Sequence, residues 1–125
     1  MAVAAADKTQ PGTVYFLDAD GAIGDLSMIL GSVTVGALPD MLTFSADGKT
    51  LLVANEGEMA ADGTNPEGSV SIIDLSNGVA GATVKTASFA DFNDKIDELK
   101  AAGVRLFAGE TGFESTTVAQ DLEPE

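Results

Sequence analysis

The chain has no cysteine, no histidine and no tryptophan, and its 6 lysines and arginines face 20 aspartates and glutamates. Without cysteine there are no disulfides, and without histidine as well there are no Cys/His zinc sites, Ser-His-Asp triads or Cys-His dyads. Any chemistry is confined to carboxylates, hydroxyls, lysine and hard metal ions. The lack of cysteine fits either redox compartment. A formal net charge of -14 repels phosphate backbones and anionic headgroups, so nucleic acid is not expected as a partner. Cations and basic partners are the natural counterparts. Apolar runs are all too short to span a bilayer, which argues against direct membrane insertion.

What is present reads as an all-β fold. With 45% hydrophobic residues in 125, there is room for one small domain with a modest core. The segment LPDMLTFSADGKTLLVANEG, residues 38–57, holds two runs rich in Leu, Val, Phe and Thr around an Asp47-Gly48 turn, and GSVSIIDLSNG at 68–78 supplies a third. This spacing predicts an antiparallel meander. GTVYFLDADG at 12–21 repeats the phrase of 68–78 at an offset of 56 residues, placing Val14 over Val70 and Asp18 over Asp74. A second echo links ALPD at 37–40 with DLEPE at 121–125.

The repeat predicts β-propeller blades, each an antiparallel four-stranded meander. Residues 12–35 are expected as a half blade, 38–88 as a full blade, 89–120 as a helical insertion and 121–125 as the start of the next blade. VYFL, TLLVA and SVSII carry apolar residues on both parities, as strands buried on two faces do. The expectation is therefore a partial propeller over 12–125, a fragment of about one and a half blades. Its open faces call for the remaining blades or other copies of the chain as partners. Residues 1–11, MAVAAADKTQP, read as a flexible N-terminal arm or as a remnant of a signal-cleavage site. In the insertion, Phe92, Ile96 and Leu99 fall at helical spacing and Gly103 suits a C-terminal cap, predicting a helix over about 91–102 with those three side chains buried.

The densest carboxylate group is NEGE, Asn55 to Glu58, at the end of a predicted strand; DLEPE would stand at the equivalent end of the following blade. Asn55, Glu56, Glu58, Glu123 and Glu125 are the candidate metal ligands. Calcium is the expected ion, because it takes six to eight oxygen ligands and accepts backbone carbonyls from turns. The bland alternative is a solvated acidic rim. DADG at 18–21 starts like a calcium loop but lacks the oxygen ligands that loop needs at Ala22 and Ile29, so it reads as a turn. Ser69, Ser71, Thr13 and Thr83 have no histidine to activate them and read as strand positions. No catalytic residue is assigned.

VGALPDMLTFSADGKTLLVANEGE, then NPEGSVSIIDLSNG, AAGVRLF and VAQDLEPE together resemble the bacterial choice-of-anchor I proteins, within the broader YVTN-type propeller pattern. The resemblance covers most of residues 12–125. It implies an extracellular or cell-surface propeller, secreted and held through a separate anchor. Members of that family carry alkaline-phosphatase-like and surface-layer-like labels. Two functions follow as expectations: an acidic, self-associating binding and structural module, or part of a calcium-dependent phosphoesterase resembling alkaline-phosphatase or phytase-like propellers. With so few cations of its own, the second depends on a bound metal to neutralise phosphate.

Overall fold

The computed structural model describes residues 1–21 and 24–125. Ala22, one of the positions that counts against a calcium loop, lies outside the described residues. The described chain is all-β, with two antiparallel sheets and short helices. The first sheet has the order β1 (Ala2–Ala5), β2 (Pro11–Leu17), β3 (Ile29–Ala37). The second is the meander β4 (Pro39–Phe44), β5 (Thr50–Asn55), β6 (Ser69–Asp74), β7 (Thr83–Ser88). Every pairing within it is antiparallel, as the turn spacing predicts.

Aspartate turns make the meander. Asp47 accepts hydrogen bonds from the Ser45 hydroxyl (2.7 Å) and the Lys49 amide (3.1 Å), and Gly48 takes the left-handed conformation that closes the hairpin. Asp7, Asp18, Asp25, Asp62 and Asp74 likewise each accept from the amide two residues on. Much of the acidity is therefore turn chemistry. DADG is among these turns, with the Asp20 amide donating to Asp18.

The two sheets pack face to face. Val14, Phe16 and Val35 of the first interlock with Leu51, Val53 and Ile73 of the second. Burying each such side chain contributes about 1.5–3 kcal/mol. At the sheet junction Leu38 adopts φ 49°, an uncommon left-handed geometry for a non-glycine residue. It donates its amide to the Asp7 carbonyl (2.8 Å), while the Ala37 and Leu38 carbonyls accept from Gly57 and Glu56.

Several expectations need correction. Residues 2–5, read as part of an arm, form β1, which pairs along β2 from Ala2↔Phe16 to Ala5↔Thr13. The Met1 ammonium donates to the Leu17 carbonyl (2.9 Å). Alanine has little strand preference, and here tertiary pairing overrides it. The first sheet thus has three strands where the 12–35 half blade allowed two. In the insertion, α1 covers only Ile96–Ala101, preceded by a separate 3-10 turn at Ala90–Phe92. Ser88 accepts the Ala90 amide, so a side chain diverts the backbone before α1 begins, and Asn93 ties the same stretch to a distant segment by accepting the Ala119 amide. Phe92 is exposed, and Ile96 and Leu99 are half-buried; the insertion core is instead Leu106, Ala108, Val118 and Ala119. Gly103 does cap α1: its amide reaches the Lys100 carbonyl and that of Val104 the Leu99 carbonyl. Asp121 ends a short α2 (Val118–Asp121), and 122–125 continue without strand pairing.

Candidate functional site

The acidic rim forms where three chain segments meet beyond the end of β5. Glu56 and Gly57 are fixed by their amides donating to the Leu38 and Ala37 carbonyls. The segment after α2 crosses beside them: the Gly68 amide donates to the Ala119 carbonyl at 2.8 Å. A Cβ on Gly68 would overlap the Leu122 carbonyl oxygen and press on Pro124. Glycine at 68 is what lets residues 122–124 come alongside.

The α2 segment is held from several sides. Thr117 and Gln120 form a reciprocal capping box. The Gln120 side chain donates to the Asn65 carbonyl at 2.8 Å, tying the segment to the loop between β5 and β6. Asp121 accepts the amides of Phe107 and Ala108 at 2.6 and 2.9 Å, which commits one of its carboxylate oxygens to structure.

This packing gathers four of the five residues singled out as ligands into one electrostatic neighbourhood. Burial pushes the Glu56 carboxyl above its ordinary range, and the charges of Asp40, Glu58, Glu123 and Glu125 push the same way. Glu123 is also raised, first by burial and then by Glu58, Asp121 and Glu125, with Lys8 pulling in the opposite direction. Lys8 makes a 2.8 Å ion pair with Glu58, with both side chains nearly half exposed.

Asn55 behaves differently. Its side chain is enclosed at 0% exposure, and its Nδ2 donates to the hydroxyls of Ser69 (3.1 Å) and Ser71 (2.9 Å). Its Oδ1 has no protein partner. Asn55 belongs to a polar trio between the sheets, and Gly36 of β3 leaves the space for it. Among the described residues, no group of three or more acidic side chains is arranged to hold a metal ion. The rim concentrates negative charge without converging on a coordination point.

Sequence reasoning missed Lys8 and Asp40 as members of this neighbourhood, while Asp121, grouped with Glu123 and Glu125 in DLEPE, does lie beside Glu123. Asp40 was legible as a strand-end acid beside NEGE in the hairpin pairing, whereas Lys8 arrives from a distant segment. Among the described residues, no helix is long and apolar enough to cross a membrane.

No curated protein and no solved structure matches this chain. The family model for the choice-of-anchor I domain matches residues 1–125, and the chain belongs to that family.

Proposed function

We propose that this domain is an acidic binding and structural module of the bacterial cell surface, built as part of a β-propeller. Its second sheet acts as a blade whose outward face receives another β-sheet. Family membership supports the surface setting. The carrying observation is an exchange of burial between repeat-equivalent residues. Val14 and Phe16 pack against the second sheet and are 0% and 3% exposed. At the 56-residue offset their counterparts are Val70 and Ile72, on the opposite face of the second sheet from the core. Ile72 is 36% exposed there, beside Leu52 at 40% and Met41 at 54%. The same pattern that is covered in one sheet is open in the next, as expected for repeats in which each sheet packs on its neighbour.

The phosphoesterase alternative draws no comparable support, because the rim carboxylates do not converge as a metal-assisted phosphoryl site requires. Two measurements test the module reading. Protease treatment of intact cells should remove the domain, and resistance to it would overturn the surface setting. These 125 residues hold no cysteine, so Ile72→Cys adds a single labelling site to the domain. A maleimide should label it readily in the isolated domain and slowly in the native protein on cells. Equal labelling would overturn the claim that this face is covered.

A further inference from the structure

We infer that a cavity between the β5–β6 loop and the end of the insertion binds a neutral sugar ring. Met59 and Asn65 line it from the loop, and Phe113, Ser115, Thr116 and Gln120 from the insertion and α2, with one glycine on each side. Its volume of about 240 Å³ is a little below the ~300–1,000 Å³ of pockets for drug-sized ligands, which suits a single ring. The site goes beyond the module reading, since it shares no residue with the acidic rim or the open sheet face and its walls lie outside the strands. Sheets of a propeller stack through their strand faces, so the repeat supplies no sheet to fill it.

None of the described residues lining the cavity is charged, in a chain with 20 acidic residues. The acids next to it in sequence are turned to other partners. Glu58 pairs with Lys8, Asp62 and Glu114 accept the amides of Thr64 and Gly112, and Asp121 accepts those of Phe107 and Ala108. A cation therefore finds no carboxylate in the cavity, and an anion meets the field of a chain of net charge -14. What remains is a set of amides and hydroxyls, which both donate and accept as a sugar's hydroxyls require. Phe113 adds a flat apolar face for the C–H side of the ring, and its own ring is held by Phe107 at 5.7 Å between centroids. The two walls are tied across by the Gln120 side chain, which donates to the Asn65 carbonyl at 2.8 Å. The Asn65 side-chain Oδ1 is enclosed and has no hydrogen-bond partner. An acceptor kept that way is costly, and the amide turns about a soft terminal torsion, so a ligand hydroxyl at the wall supplies the donor that Oδ1 lacks.

Saturation-transfer NMR of the full-length protein with the methyl glycosides of glucose, galactose, mannose and N-acetylglucosamine should show binding of at least one, while glucuronic acid should show none. Phe113→Leu keeps apolar bulk but removes the flat ring, and Asn65→Ala removes the unpaired acceptor. Each should weaken binding by about tenfold, the scale of one lost contact of this kind. Ser115→Ala, at an exposed position, should also weaken it and carries no risk to the fold. Circular dichroism of the variants should match wild type; if Phe113→Leu unfolds, the other two decide. No binding of any of the four glycosides, equal binding by the folded variants, or glucuronic acid binding as well as the neutral sugars would overturn the inference. Sugar binding and the labelling of residue 72 are read separately, so either reading can fail alone.

Discussion

Replacing Gly68 with alanine should detach the segment after α2 from the acidic rim and lower stability. The backbone at 68 lies outside the left-handed region, so alanine meets no conformational barrier there. The added Cβ instead overlaps the Leu122 carbonyl oxygen, and lies 3.0 Å from both the Glu56 carbonyl oxygen and Pro124 Cδ. Two of these three atoms are backbone, so relief requires movement of a chain segment. Overpacking of this kind costs about 1–3 kcal/mol. For a chain of this size each kcal/mol lowers the melting temperature by roughly 3–5 °C, so the total drop should be roughly 3–15 °C. Detachment also breaks the hydrogen bond from residue 68 to the Ala119 carbonyl, so that amide should lose hydrogen-exchange protection. The carboxyls of Glu56 and Glu123 should titrate closer to their ordinary range as the segments separate, because Glu56 is raised partly by Glu123 and Glu125, and Glu123 partly by Glu58. Gly63→Ala is the control: Gly63 has φ 88° with nothing near its missing Cβ, so alanine there introduces strain and leaves the rim intact. Unchanged melting and exchange in Gly68→Ala would refute the close approach.

Stability should pass through a maximum in mildly acidic solution. Glu56 and Glu123 are raised above 4.5 in the fold, so their contribution is complete below that value and is lost as pH rises through their folded values. Asp7, Asp25, Asp47, Asp62 and Asp74 are lowered from 3.8 by hydrogen bonds, so theirs is present above 3.8 and is lost as pH falls. Melting of dilute protein from about pH 3 to pH 7 checks this, and a maximum at neutral pH would contradict it. In the insertion, Val118→Asp should cost about 3 kcal/mol or more, since Val118 is fully buried, whereas Ile96→Asp at a half-buried position should cost less than about 1.5 kcal/mol. Denaturant unfolding gives the order, and a larger loss at Ile96 would relocate that core to α1. Calcium at matched ionic strength should raise the melting temperature of wild type more than that of Glu56→Gln/Glu58→Gln, because the variant removes two of the charges crowding the rim. Equal responses would mean that the crowding has no energetic consequence.

The meander was legible because its information is local. Runs rich in Leu, Val, Ile, Phe and Thr and the turns between them specify β4 to β7 without reference to any distant segment. Gly103 as a helix cap was legible for the same reason, since the left-handed turn needs only the residue that occupies it. The carboxylates of NEGE and DLEPE could be singled out by composition, and tertiary structure does bring Glu56, Glu58, Glu123 and Glu125 into mutual repulsion. Asn55 was grouped with them because it is adjacent in sequence. On a strand, however, neighbouring side chains point to opposite faces, and that of Asn55 turns inward to Ser69 and Ser71.

What the sequence determined by itself was the all-β class, the meander, the excluded chemistries and the surplus of negative charge. Tertiary structure alone decided the rest. β1 has almost no strand signal of its own and exists because β2 offers an edge to pair with. The helix starts late because Ser88 holds the Ala90 amide on its N-terminal side, and Asn93 is tied instead to α2 by accepting the Ala119 amide. Lys8 reaches Glu58, and Asp121 reaches Phe107 and Ala108, across separations that no local pattern encodes. Gly68 opens a strand in the sequence; in three dimensions it is the point where two chain segments touch. A local pattern fixes backbone conformation and the facing of side chains, but which distant surfaces meet depends on how the whole chain buries its apolar area.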